Sequence, residues 1–144
     1  MAGVIEAEAG GVKFRVPTDL LYTDTDEWVK IDGDIATIGI TDFAQKELKD
    51  IVAVDLPEPG RKVKKGEEVA VVDSIKATAS IYAPLTGEIV EVNERLLEEP
   101  ELINKDPYGD GWILKIKIED QNEATVLLTP NSYIENVKRR KEGK

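Results

Sequence analysis

The stretch Val71-Val72-Asp73-Ser74-Ile75-Lys76-Ala77-Thr78-Ala79-Ser80-Ile81-Tyr82 decides the fold. Its flanks are β-branched or small, which suits two strands, Glu67 to Asp73 and Ala79 to Ala83. Between them stands neither a proline nor the Asn-Gly or Asp-Gly pair that usually closes a tight hairpin. Lys76 falls at the tip, with no neighbour that would obviously hold it down. Such a placement suits a lysine that another enzyme must reach and acylate. A turn lysine is ordinarily solvated and does nothing further, so the rest of the chain has to carry the argument.

Outward from the hairpin, Pro57-Glu58-Pro59-Gly60 leads toward the strand entering it, and Pro84-Leu85-Thr86-Gly87 opens the strand after it, Glu88 to Val92. Two similar turn-plus-strand units suggest a flattened β-barrel with approximate two-fold symmetry. Further strands are predicted at Trp28 to Ile31 and Ile35 to Ile40, around the Asp32-Gly33 turn, at Ile51 to Leu56, and at Trp112 to Ile118. Asp42 is expected to cap a short helix, Phe43 to Lys49, with Gln45 as its box partner. Another short helix is expected at Glu94 to Glu98, while Glu99 to Gly111 reads as loop. Thr129 and Pro130 begin a C-terminal helix, and Lys138, Arg139, Arg140 and Lys141 at its end complement the dipole. That basic cluster reads as a solvated helix end.

Composition narrows the chemistry. The 144 residues suffice for one domain with a real core, and 41% hydrophobic content marks a globular chain. With 29 acidic against 19 basic side chains the formal net charge is -10, which argues against nucleic acid and anionic membranes as partners. There is no cysteine and no histidine. Disulfides, thiol nucleophiles, thiolate metal sites and the usual general base are therefore missing, and Ser-His-Asp or Cys-His catalysis is excluded. Acidic residues are scattered, with no pair that stands out for acid-base work. The chain reads as something other than an autonomous catalyst, with no metal site. Residues 1 to 21 resemble neither a signal nor a transit peptide, and no apolar run reaches transmembrane length, so a cytoplasmic location is expected. Charged residues at 33% are of the kind enriched in thermophiles.

Several motifs, in order, carry a resemblance. They are Gly39-Ile40-Thr41-Asp42-Phe43-Ala44-Gln45, Asp50-Ile51-Val52, Leu56 to Gly60, and Asp73-Ser74-Ile75-Lys76-Ala77. Tyr82-Ala83-Pro84, Gly87 to Asn93, Leu102-Ile103-Asn104, Asp106-Pro107-Tyr108, Gly111-Trp112 and Lys115-Ile116-Lys117 follow. Together, from about Tyr22 to Tyr133, they resemble the glycine cleavage system H proteins. The resemblance implies a mainly β fold, a flattened barrel/sandwich hybrid of the biotinyl/lipoyl-carrier type with short helices and a C-terminal helix. It also implies three regions: an N-terminal extension, 1–21, at least partly flexible; a lipoyl-carrier β domain, 22–128; and the C-terminal helix with its basic tail, 129–144.

Functionally, the resemblance implies a carrier and not an enzyme. Lys76 would receive lipoate through an amide bond, flanked by the motif residues Asp73, Ser74, Ile75 and Ala77. The arm would take the aminomethyl group of glycine from a pyridoxal-phosphate glycine decarboxylase to a tetrahydrofolate-dependent aminomethyltransferase. A dihydrolipoyl dehydrogenase would reoxidise it. A lipoate ligase or octanoyl/lipoyl transferase would load it, and a monomer is expected. A chain without Cys or His does need a borrowed redox group. By motif position, Glu27 is the carboxylate expected to pair with the cargo amine, with Thr25 and Ser80 beside it, and Trp28 reads as core.

Three positions depart from the family pattern. Asp26 stands where histidine is usual, Asp73 where glutamate is usual, and Ser80 where an aspartate is common. The last removes one expected negative charge from the amine pocket, and Asp26 is a candidate to replace it. Among other classes, a biotin carrier would usually flank its lysine with methionines, yet Met1 is the only methionine. A lipoyl domain of a 2-oxoacid dehydrogenase would continue into a flexible linker, whereas a capped helix follows residue 118. A lipoyl carrier or relay paralogue serving another pathway stays open as the alternative.

Overall fold

The computed structural model describes residues 3–143. Among these residues eleven strands form three sheets. The central one has six strands in the order β3 (Leu21–Tyr22), β4 (Glu27–Asp32), β5 (Ile35–Ile40), β11 (Leu114–Ile118), β10 (Gly87–Val92) and β7 (Lys62–Val63). A second sheet is three-stranded: β6 (Ile51–Asp55), β8 (Glu68–Ser74) and β9 (Thr78–Tyr82). The two share one core, in which Val72 and Ile81 of the small sheet join Ile38, Ile89, Leu114 and Ile116 of the large one. The fold is thus mainly β, a barrel/sandwich hybrid in which neither sheet closes on itself. The strands that follow the two Pro-Gly turns pair with each other, β7 with β10, with Gly87 opposite Val63.

The hairpin around Lys76 has the expected arms. β8 and β9 pair antiparallel, with Asp73 opposite Thr78 and Val71 opposite Ser80. Burial alternates because Val72 and Ile81 face the core while Ser80 and Tyr82 face outward.

Elsewhere the structure corrects the reading. Thr41, not Asp42, caps α1 (Asp42–Leu48), accepting the Ala44 N–H at 3.2 Å. Asp42 is already helical and its buried carboxylate reaches out of the helix, accepting N–H groups from Arg15 and Gln45, each at 2.8 Å. The stretch 99–111 is not all loop, because Leu102–Lys105 forms a one-turn helix, α2, whose buried Leu102 and Ile103 pull it onto the main core. Glu94–Leu97 is a 3-10 turn. The C-terminal helix α3 (Pro130–Glu142) has the predicted cap at Thr129 and ends at Gly143, whose φ of 71° suits glycine.

The N-terminal stretch differs most. Residues 1 and 2 lie outside the described residues, but Val4–Ala9 (β1) and Val12–Pro17 (β2) form a two-stranded hairpin. Phe14 and Val16 are buried in a second core with Tyr22, Trp28, Phe43 and Tyr133. Phe14 meets Phe43 edge-on, with ring centroids 5.2 Å apart. Polar groups cover the outer edge of β2: the Lys46 ammonium donates to the Lys13 carbonyl, Asp42 takes the Arg15 N–H, and the Tyr108 hydroxyl donates to the Arg15 carbonyl. An edge satisfied on this scale belongs to the fold rather than to a fraying tail.

Candidate functional site

Lys76 is exposed at the tip, and Ser74 supplies the turn chemistry that the sequence lacked. The Ser74 hydroxyl donates to the Ala77 carbonyl at 3.0 Å and accepts the Lys76 and Ala77 N–H groups at 3.1 and 3.0 Å. A side-chain oxygen that binds its own turn replaces the missing Asn-Gly or proline. Asp73 braces the base of the hairpin by accepting the Thr78 hydroxyl at 2.7 Å. Ile75 is 68% exposed, and its N–H donates to the Asp50 carbonyl. Lys76 does have one neighbour. Its ammonium donates to the Glu47 carbonyl in the last turn of α1, at 3.3 Å, where the helix dipole favours a cation. Ala77 is exposed beside it.

Glu27 lies at the other end of the same hairpin arm. Among the described residues β9 pairs only with β8, which leaves its second edge open. Glu27, fully buried at the start of β4, covers that edge: its Oε2 accepts the Tyr82 N–H at 3.1 Å. Its Oε1 accepts the hydroxyls of Thr23 and Thr25, and its own N–H donates to the Thr23 hydroxyl at 3.0 Å. Burial is the first cause that lifts the Glu27 carboxyl to about 7; the three donors oppose it and the Asp26 charge adds to it. Thr23, Thr25, Glu27, Lys65, Tyr82 and Pro84 line a cavity of about 320 Å³ here. Thr25 also borders a second cavity of about 220 Å³ between β9, α1 and α3, to which Ser80, Glu47 and Arg140 contribute. The cleft therefore runs beside the open edge of β9.

Asp26 does not make good the charge missing at position 80. It turns away to α3, accepting from Arg140 at 2.7 Å and from the Tyr133 hydroxyl at 2.8 Å. A φ of 71° aims it there. The basic helix end is accordingly more than solvated charge, since Arg140 holds Asp26 and Lys141 holds Glu47. Among the described residues no hydrogen bond joins Ser80 to Glu27 or Thr25, and its hydroxyl donates to Glu68 at 3.0 Å. Sequence reasoning passed over Thr23, Glu68 and the Tyr82 N–H. The Thr-x-Thr-x-Glu spacing of 23–27 was a legible signal; the cross-strand contact to Glu68 was not, because it depends on register.

A model of the glycine cleavage H-protein family matches residues 20–140. The chain belongs to this family. A probable glycine cleavage system H protein of Aeropyrum pernix is 67% identical over 139 residues, covering 96% of this chain and 97% of that one. The glycine cleavage system H protein of Thermotoga maritima is 59% identical over 114 residues, 79% of this chain and 92% of its own. Among solved structures, a glycine cleavage system H protein from Mycobacterium marinum superposes with a TM-score of 0.76 at 36% identity, covering 90% of this chain and all of that one. As an H protein the chain is a lipoyl-carrier component of glycine cleavage, not a catalyst, and it works with the other components of that system. Among the described residues no helix is long and apolar enough to cross a membrane.

The residues present suit a lipoyl group. Among the described residues the exposed Lys76 has no carboxylate within ion-pair distance, and its amine meets only a carbonyl at 3.3 Å, which leaves it open to acylation. A buried carboxylate and two hydroxyls at the cleft suit a polar, cationic cargo.

Proposed function

We propose that Lys76 bears lipoate in amide linkage, and that the cleft beside β9 shelters an aminomethyl cargo on its way from glycine decarboxylase to the aminomethyltransferase. A dihydrolipoyl dehydrogenase completes the cycle, and a lipoate ligase or octanoyl/lipoyl transferase loads the lysine. The observation that carries the reading is that the exposed Lys76 and the buried Glu27 serve the two ends of one strand: Lys76 sits in the turn that starts β9, and Glu27 takes the N–H of its last residue, Tyr82. At about 3.3 Å per residue the strand sets their separation on the scale of an extended arm.

The lipoyl group supplies a dithiol/disulfide couple and a sulfur on which a one-carbon amine travels. The chain's residues do the rest. Acylation discharges the Lys76 amine and weakens its charge-assisted hold on the Glu47 carbonyl, which frees the tip. Glu27, held near neutrality by burial, gives up its proton when a cation arrives and then pairs with it. Thr23 and Thr25 keep its oxygens oriented. A cytoplasmic location is part of the proposal, supported by relatives from Aeropyrum pernix and Thermotoga maritima.

The test is intact mass of protein from lipoate-replete cells beside Lys76→Ala. A lipoyl increment lost in the variant supports the reading; a biotinyl increment, or none, refutes it. Incubation of the lipoylated protein with decarboxylase and glycine then separates glycine cleavage from a carrier serving another pathway. Failure to gain the one-carbon amine would favour the latter.

A further inference from the structure

Asp24, Asp26, Glu27 and Glu47 line the cleft, Glu68 adjoins it through Ser80, and the carboxylates in and around it have different partners. Asp26 is paired with Arg140 and Glu47 with Lys141, each at 2.7 Å. Glu67 is paired with Arg61, also at 2.7 Å. Glu68, the next residue, has no cation within ion-pair distance among the described residues. Among the described residues the only side chain bonded to its carboxylate is Ser80, a neutral donor, at 3.0 Å, while Arg61 donates to its backbone carbonyl at 3.0 Å. An ionised carboxylate offers about four acceptor positions, and one neutral hydrogen bond leaves most of them open.

The sheet register puts that open charge beside the proposed cargo site. On β8 Glu68 lies opposite Tyr82, the residue whose N–H holds Glu27. Ser80, two residues earlier on β9, lines the same cavity as Thr25. Glu27 thus approaches β9 from its open edge, and Glu68 approaches from the neighbouring strand. An acid at position 80 would stand against Glu68 with like charge, whereas serine donates to it.

We propose that Glu68, aimed by the Ser80 hydroxyl, is the second carboxylate that holds a cationic cargo in this cleft. The assignment rests on the cleft's proposed role as the cargo shelter. The negative charge stands on β8, and the serine across from it on β9 orients it. Glu68 is exposed while Glu27 is buried. Glu68 therefore acts on the cargo through partly screened attraction.

The test uses lipoylated protein loaded from glycine, then freed of decarboxylase. Without a transferase, water releases the one-carbon amine as formaldehyde and ammonium, leaving the thiol, and ammonia reports the rate. Glu68→Gln is expected to lose cargo roughly threefold to tenfold faster. Ser80→Ala should reproduce part of this only when Glu68 is present, and Ser80→Asp should rescue Glu68→Gln. A second readout is spectroscopic. The carbon NMR resonance of the Glu68 carboxyl, at fixed pH, should move when cargo is loaded. An unchanged rate in Glu68→Gln, or an unmoved resonance, overturns the proposal. Glu27→Gln tells the two readings apart: if it speeds the loss while Glu68→Gln does not, only this proposal fails. If neither variant changes the rate, the cargo shelter fails with it.

Discussion

Replacing Glu27 by glutamine should make the protein more stable in alkali while damaging its carrier role. The carboxyl is fully buried and lifted from 4.5 to about 7. Charging it inside the fold therefore costs about 3 kcal/mol relative to the unfolded chain. Between those two values the folded chain holds a proton that the unfolded chain has lost. This group's stabilising contribution is whole below pH 4.5 and declines until about pH 7, then stays low. Glutamine does not titrate, and it fits the site. Its oxygen can accept the Tyr82 N–H, while its amide donates to the threonine hydroxyls, which serve equally as acceptors. Guanidinium unfolding of wild type and Glu27→Gln at pH 5 and pH 8 gives the comparison, because the other carboxylates contribute equally to both proteins. The variant's advantage should grow by about 2 to 3 kcal/mol from the lower to the higher pH. Equal differences at both pH values, or a variant that loses ground in alkali, would refute the account of Glu27 as a charge held against its solvation.

Three further outcomes follow from the packing. Phe14→Ala should cost about 3 kcal/mol in denaturant unfolding, because it empties the second core against Phe43; a change within experimental error would return the hairpin to the status of a loose extension. Gly39→Ala would bring a Cβ to 2.6 Å from the Trp28 indole nitrogen, which donates to the Pro107 carbonyl, so a loss of roughly 1 to 3 kcal/mol and altered tryptophan fluorescence are expected. Asp26→Ala removes the partner of Arg140 and leaves an alanine at φ 71°. A melting point clearly below that of Asp26→Asn, which tolerates the backbone better, is expected; equal melting points would count against backbone strain there.

Much of the strand architecture was legible because burial on one face imposes a period of two that the residues display. The Val72 and Ile81 alternation, the Asp32-Gly33 turn and the Thr129-Pro130 cap all act within a few residues, where local chemistry is decisive. The cap of α1 was misplaced by one residue for a reason that is not local. Asp42 is a better N-cap than Thr41 in isolation, but its carboxylate is drawn to the Arg15 N–H and so is not free to close its own helix. The N-terminal hairpin was missed because its apolar residues are few and interleaved with charge. Its burial depends on Phe43 and Tyr133, which lie far along the chain.

From the sequence alone came the lysine, the turn that presents it, the want of any thiol or imidazole, and the order of motifs that marks the family. Each is a property of residue identity or of short spacing. What only the tertiary structure decided was where the charges go. Asp26 turns to Arg140, Lys76 rests on the carbonyl of Glu47, Glu27 binds the open edge of β9, and Ser80 donates to Glu68. A charge acts over a few ångströms in space, and strand register and helix packing, not sequence distance, determine which groups come that close.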